Sequence, residues 1–257
     1  MALEVRQLSK RFAGLVAVAA VSFTVRPGEI MGIIGPNGSG KTTLLSMMAG
    51  LLAPTSGSVV WKGREIQELR PDIIASLGVV KSFQNPQVFA ELSVSDNVRV
   101  ASHLALKRAL GLRRGLELVG AARAVEAQLA RRVNEVLALC DLAAAAEQLA
   151  GNLSYGEEKM LGIAMALMCR PELLLLDEPG SGLGREELAN LAAVLVKVHA
   201  AGTTLCIVDH KIGFLRGIAG RVIALDHGEK IAEGAPDQVL DDPKVVEAYL
   251  GTAHARA

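Results

Sequence analysis

The sequence predicts an α/β fold, with a parallel core sheet built around a glycine-rich loop, an antiparallel β portion in front, and an inserted α-helical subdomain. Three observations predict it. The apolar run IMGII at 30–34 feeds the glycine-rich loop GPNGSGKT at 35–42, which runs straight into a helical pattern. Two more wholly apolar runs, inside PELLLLDE at 171–178 and TTLCIVDH at 203–210, flank a helix-like stretch; that is the pattern of buried parallel strands in a βαβ unit. Between about residues 94 and 153 the spacing of apolar residues turns helical. The chain therefore reads as one domain of residues 1–257, with 1–93 and 154–257 as the core and about 94–153 as the helical subdomain.

Each element follows in order. LEVRQLSKRF and VAAVSFTVRPGE read as strands, the second closed by a Pro-Gly turn. After the glycine-rich loop, Leu44, Leu45 and Met48 share a helical face, and Gly50 and Pro54 stop that helix. PTSGSVVWKGREI reads as a turn and a further strand. In the helical section, Val133, Val136, Leu137 and Cys140 form one apolar stripe. The tail VIALDHGEKIAEGAP reads as a hairpin, and DQVLDDPKVVEAYLG adds two short helices.

Composition bounds the function. With 257 residues, 51% of them hydrophobic and 3% aromatic, the chain can bury a large aliphatic core. Basic and acidic residues balance at 27 each, which removes the broad positive field of a nucleic-acid-binding protein. An anionic ligand must then be held by a local site. No apolar run approaches the roughly 18 residues that mark a membrane span, and MALEVRQLSK lacks the basic-then-apolar design of a signal peptide. Cys140, Cys169 and Cys206 stand far apart in apolar contexts and read as three buried thiols in a reducing compartment.

The loop Gly35, Pro36, Asn37, Gly38, Ser39, Gly40, Lys41, Thr42 matches G-x-x-x-x-G-K-[ST] in the strand-to-helix context that the motif needs. Its glycines let backbone N–H groups curl around phosphate oxygens, and the helix N-terminus adds partial positive charge. Lys41 reaches the β- and γ-phosphates, and Thr42 can ligate Mg²⁺. In a parallel sheet, Asp177 and Glu178 emerge at the carboxyl end of a buried strand, beside that loop. Asp177 then holds Mg²⁺ through water, and Glu178 orients or deprotonates the attacking water. Hydrolysis of a nucleoside triphosphate on a P-loop NTPase core is the minimal conclusion.

Such loops also occur in GTP switches, helicases and kinases, and a further segment narrows the choice. LSYGEEK at 153–159 lies shortly before LLLLDE; Gln84 lies in SFQNPQVF, and His210 follows the strand CIVDH. In content and order the chain, from about Leu3 to Gly251, resembles the ATP-binding subunits of ABC transporters. The resemblance implies ATP and Mg²⁺ as ligands and a second ATPase subunit as partner. In that family the serine and second glycine of an LSGGQ-like segment, here Ser154 and Gly156, bind the γ-phosphate of ATP held on the partner. Ser154 with Glu157 three residues on is also a capping box, and both readings can hold because the geometry is the same.

The resemblance further implies that Gln84 senses Mg²⁺ and the attacking water, that His210 contacts the γ-phosphate, that Phe12 stacks on adenine and that Thr43 completes the phosphate loop. Val18 would pack beside the ribose. His103, His199, His227 and His254 have no such context and read as surface residues. The chain departs from the family at Tyr155, where a glycine is usual, at Glu157, where glutamine is usual, and at Gly184 in SGLG, where an aspartate that joins the two sites is common.

Within the family, FQNPQVFAELSVSDNV, the helical stretch from about 101 to 130, LSYGEEK and the ending DDPKVVEAYLG resemble the ATPases of branched-chain amino-acid uptake systems. That resemblance implies two transmembrane permease subunits, an indirectly linked solute-binding protein, and a peripheral position on the cytoplasmic face of the inner membrane. The partner ATPase would be a related chain, with a homodimer open to it in isolation. The solute would be a branched-chain amino acid or a relative such as urea or an amide. A lipopolysaccharide-type exporter and a regulatory ABC ATPase are the alternatives. Lys107, Arg108, Arg113 and Arg114 read as a solvated helix face, or as neighbours of lipid headgroups.

Overall fold

The computed structural model describes residues 3–84, 86–102 and 118–254, with the side chains of 118–123 and 251–254 outside that description. The basic residues at 107, 108, 113 and 114, and His103, lie outside the described residues. The chain divides into two compact units. The first comprises 1–84, 172–182 and 199–257; the second comprises 85–171 and 183–198.

The first unit holds both sheets. Strands β1 (Leu3–Phe12), β2 (Leu15–Val25), β4 (Ser56–Trp61) and β5 (Arg64–Glu65) form an antiparallel sheet in the order β2-β1-β4-β5. Strands β3 (Ile30–Ile34), β6 (Val79–Ser82), β7 (Leu173–Asp177), β8 (Thr204–Val208), β9 (Arg221–Asp226) and β10 (Glu229–Gly234) form the second, in the order β10-β9-β3-β8-β7-β6. It is parallel except for the β9-β10 hairpin. Its central strands β3, β7 and β8 are buried at every residue, which is why they carry no polar alternation. Leu3, Val5, Phe23 and Val59 of the antiparallel sheet share a core with Ile33, Leu173, Cys206 and Ile223 of the other. Both sheets thus close over one apolar layer.

One strand has no signal in the sequence. β6 is only four residues long, VVKS, with no alternation, yet it pairs in parallel with β7 from Val79 to Ser82. The short helices Pro71–Ser76 and Ile212–Ile218 are likewise unannounced.

In the second unit, helices Val94–Ala101, Leu118–Leu139 and Tyr155–Met168 pack on one another. The stripe Val133, Val136, Leu137 and Cys140 is at most 2% exposed, as its spacing requires. Asn97, fully buried, holds the turn before its own helix. Its Oδ1 accepts from Phe89 N at 2.7 Å, and its Nδ2 donates to the carbonyls of Phe89 and Ser93, both at 3.0 Å. A buried amide is tolerated there because every polar atom is matched.

Cys140 and Cys206 are buried, whereas Cys169 is half-buried, because it follows the last turn of its helix rather than facing a core. All three thiols are free. Among the described residues, no helix is long and apolar enough to cross a membrane.

Candidate functional site: a nucleotide cleft and its hydrolytic acids

β3 delivers the chain to Gly35 at the carboxyl end of the parallel sheet. The loop then turns through Gly35, Gly38 and Gly40, each with positive φ, at 151°, 83° and 97°. Gly40 is required by space as well: a Cβ there would sit 2.3 Å from Ala17 O. Gly40 is also the N-cap of the helix Lys41–Met48, and no side chain caps that helix or places an acid in its first turn. Its amide groups are therefore directed at the loop without a built-in acceptor, which is the condition for holding a phosphate.

Lys41 is 4% exposed, and its ammonium donates to Gly35 O at 2.8 Å and Pro36 O at 2.7 Å. Burial pushes its pKa below the usual lysine value, against the pull of Glu178, Asp177 and Asp209 in the opposite direction. A cleft of about 550 Å³ opens over this loop, lined among others by Phe12, Asn37, Gly38, Lys41, Thr42 and Thr43. Phe12, at the end of β1, is 45% exposed at the cleft, with Lys10 Nζ over its ring, 5.2 Å from the centre. Val18 is fully buried in the core and is not among the residues lining the cleft, which β2 lines with Leu15, Val16 and Ala17.

The second cluster forms at the ends of β7 and β8. Thr42 Oγ1 donates to Asp177 Oδ1 at 3.2 Å, which sets two hard oxygen donors side by side at the loop. That donor set suits Mg²⁺, whose remaining ligands would be water and phosphate oxygens. Among the described residues no three His, Cys, Asp or Glu side chains converge as a metal centre by themselves.

Glu178 lines the same cleft, in a left-handed conformation with φ 47°, held by its amide donating to Val208 O at 2.8 Å. An acid kept in a strained conformation at a cleft is the pattern of a functional position. Gln84 Nε2 donates to Glu178 Oε2 at 3.2 Å, and His210 Nδ1 stands 3.7 Å from that oxygen. Asp209, fully buried, accepts from Gly180 N and Lys211 N, both at 2.9 Å, and so fixes the turn that carries His210. The first unit thus brings together Phe12, Gly35 to Thr43, Gln84, Asp177, Glu178 and His210.

Three residues beside this group had no motif to reveal them. Lys81 pairs with Asp177, Asp209 anchors the turn, and His227 lines the cleft. His227 lies at the surface, as expected, and also lines the cleft. The turn that carries it is tied to the loop by Gly228 N donating to Ser39 O at 3.1 Å, and to β2 by Ala19 N donating to Gly228 O at 2.8 Å.

Ser154 and Gly156 belong to the second unit, at the start of the helix Tyr155–Met168. The capping box is complete: Glu157 N donates to Ser154 Oγ at 3.3 Å, and Ser154 N donates back to Glu157 Oε2 at 2.9 Å. Ser154 Oγ also donates to Glu157 Oε2 at 2.8 Å. Tyr155 is 44% exposed, with Lys159 Nζ 5.1 Å from its ring centre. Gly156 is buried against Glu187, whose other carboxylate oxygen accepts from Gly184 N at 2.8 Å.

The chain is similar to known proteins. The family model described as "ABC transporter" matches residues 18–181, and one described as "Branched-chain amino acid ATP-binding cassette transporter" matches 229–255. The chain is 36% identical over 252 residues to the high-affinity branched-chain amino acid transport ATP-binding protein LivG of Salmonella typhimurium, covering 98% of each. It is also 36% identical, with the same coverage, to BraF of Pseudomonas aeruginosa, a protein of the same description. The lipopolysaccharide export system ATP-binding protein LptB of Acidithiobacillus ferridurans is 33% identical over 249 residues, 97% of this chain and 96% of LptB. The ADP conformation of MJ1267, an ATP-binding cassette of an ABC transporter, superposes with a TM-score of 0.83 at 28% identity, covering 97% of this chain and 98% of that one. Glycine-rich loop, neighbouring carboxylates, family match and fold agree: the chain belongs to the ABC transporter family, as an ATP-binding and ATP-hydrolysing subunit.

Proposed function

We propose that the chain powers an importer of branched-chain amino acids or of a related small solute. The observation that carries this reading is the match of the C-terminal segment, residues 229–255, to the branched-chain amino acid cassette model, alongside the likeness to LivG and BraF over 98% of the chain. The weaker likeness to LptB leaves lipopolysaccharide export as the lesser reading.

In the proposed cycle two ATP molecules lie between two ATPase subunits. One subunit holds each nucleotide by Phe12, the loop Gly35 to Thr43 and His210; the other presents Ser154 and Gly156 to its γ-phosphate. Thr42 and Asp177, with Gln84 nearby, would hold Mg²⁺, which would supply positive charge to offset the negative charge of the triphosphate. Lys41 moves from the carbonyls of Gly35 and Pro36 to the phosphate oxygens. Glu178, oriented by Gln84 and near His210, accepts the proton of the attacking water.

Residues 1–93 and 154–257 serve as the nucleotide-binding core, and about 94–153 as the helical subdomain that passes closure to a permease. The partners are a related second ATPase, two permease subunits and, through them, a solute-binding protein. The location is the cytoplasmic face of the inner membrane.

The test is purification of the membrane complex with wild-type chain and with Glu178→Gln. ATP binding should persist in the variant while turnover falls by about 10²- to 10⁴-fold, and a labelled branched-chain amino acid should be retained by the copurifying solute-binding protein. Near-normal turnover would remove Glu178 from its role. Absence of any integral membrane partner would favour a regulatory ATPase.

A further inference from the structure

Asp177 makes one contact that the cycle above does not use. Lys81 Nζ donates to Asp177 Oδ2 at 2.9 Å, with the two side chains only 7% and 4% exposed. Lys81 comes from β6, whose residues pair in parallel with β7, the strand that ends on Asp177. Its ammonium also lies 5.3 Å from the ring centre of Phe83. The carboxylate is therefore held at both oxygens, by Lys81 on Oδ2 and by Thr42 on Oδ1.

Burying an ion pair costs desolvation at both ends, and such a pair is weak evidence for stability alone. Its consequence here is electrostatic. Asp177, Glu178 and Asp209 act together on Lys41, and Lys81 adds a second positive charge to that group. With Oδ2 engaged by Lys81, the Thr42 hydroxyl and the Oδ1 it donates to are what an ion could use, and they make a poor site for a bare divalent ion, which gives up its water reluctantly. A triphosphate arriving with the ion supplies the missing negative oxygens.

We propose that Lys81 is a positioning residue of the metal site: it orients Asp177 through Oδ2 and makes divalent-cation binding conditional on nucleotide. The inference rests on the reading that Thr42 and Asp177 hold Mg²⁺. Replacing Lys81 by an apolar side chain of similar length leaves one uncompensated negative charge beside the loop. That single change should attract a free cation and repel a free triphosphate at once, two effects that loss of packing would not produce together.

The experiment uses the full chain and Mn²⁺ as a paramagnetic probe. Free Mn²⁺ is measured by electron paramagnetic resonance with and without the non-hydrolysable analogue AMP-PNP, and a fluorescent ATP analogue is titrated in EDTA. Wild type should bind Mn²⁺ only with nucleotide. Lys81→Met should bind Mn²⁺ without nucleotide at least about tenfold more tightly than wild type, and metal-free nucleotide about tenfold more weakly, each one decade of Kd. Lys81→Arg should behave as wild type, because charge and reach are kept. If Lys81→Met does not fold, the double variant Lys81→Met with Asp177→Asn removes both charges; it should fold and bind metal-free nucleotide like wild type.

Strong nucleotide-free Mn²⁺ binding by wild type would overturn the proposal. So would Lys81→Met affinities equal to those of wild type, or a double variant that still binds metal-free nucleotide about tenfold weaker. Asp177→Asn separates the two levels of inference: unchanged nucleotide-dependent Mn²⁺ binding in that variant would overturn the metal-site reading itself. Loss of binding there, with Lys81→Met unaltered, would overturn only the role of Lys81.

Discussion

At the scale of single residues, Glu157 engages the hydroxyl of Ser154 that the proposed cycle offers to a phosphate. The carboxylate that completes the capping box also receives the Ser154 hydroxyl at 2.8 Å, so the group expected to meet a γ-phosphate is already donating to an anion on its own helix. Engaging a phosphate requires that hydroxyl to turn away, next to a negative charge. Glutamine keeps an acceptor for the Ser154 amide and removes the charge. Glu157→Gln should leave stability within about 0.5 kcal/mol, and should tighten ATP-driven self-association, measured by sedimentation in a Glu178→Gln background. The expected gain is about 1 kcal/mol, a factor of about 5; unchanged association would separate Ser154 from phosphate binding. None of this needed the fold to be seen, because capping is local. Lys81 is the opposite case: its role depends on a neighbour 96 positions away.

Among the elements, the two helix starts are built in contrasting ways. The helix Lys41–Met48 begins on Gly40 with no capping side chain and no acid in its first turn, so its amide groups are left for a ligand. The helix Tyr155–Met168 begins with a full capping box and Glu157 and Glu158 in its first turn, so its field is already partly answered. Two glycines of the first loop test this. Gly40→Ala meets Ala17 O at 2.3 Å, whereas Gly38→Ala meets nothing within 4 Å.

The strained backbone alone costs roughly 1–2 kcal/mol at either position. Gly40→Ala should lose clearly more than that in urea unfolding, and at least about tenfold in ATP affinity. Equal losses at the two positions would mean that the close approach to Ala17 is not what the glycine serves. The loop was legible because its motif spans eight consecutive residues. β6 was not legible, since four residues without alternation become a strand only when β7 offers them partners. The turn at His227 likewise became part of the cleft only through its bonds to Ser39 and Ala19.

For the whole molecule, the buried thiols set an alkaline limit. Burial pushes both Cys140 and Cys206 from 9.0 up to about 12, and Asp141 adds to the effect at Cys140. Below pH 9 each thiol is protonated folded or unfolded. Above it the unfolded chain ionises first, so stability is lost as pH rises from about 9 towards 12, by roughly 1.4 kcal/mol per pH unit per thiol. Lys41, whose pKa is lowered, works the other way, since relief of its buried charge favours the fold as pH rises towards 10.5. The two thiols outweigh it. The urea midpoint should hold to about pH 9 and then fall, with Cys140 and Cys206 unreactive to iodoacetamide at pH 8 until the protein unfolds. A midpoint rising from pH 9 to 11 would contradict this assignment. One thiol lies in each unit, so both units should show the limit.

The sequence by itself determined whatever rests on consecutive residues or a short period: the phosphate loop, the buried strands IMGII, LLLLD and TLCIV, the stripe at 133–140, and the capping box at Ser154. Those features depend on backbone geometry within one element, which residue type and spacing encode directly. Only the tertiary structure decided that Asp177 is held between Thr42 and Lys81, that Glu178 meets Gln84 and His210, and that Val16 and Ala17 line the cleft in place of Val18. Each of these depends on where the strands deliver residues far apart in the chain, and strand order and register, which bring distant charges within 4 Å, are fixed by the burial of both sheets over a common core.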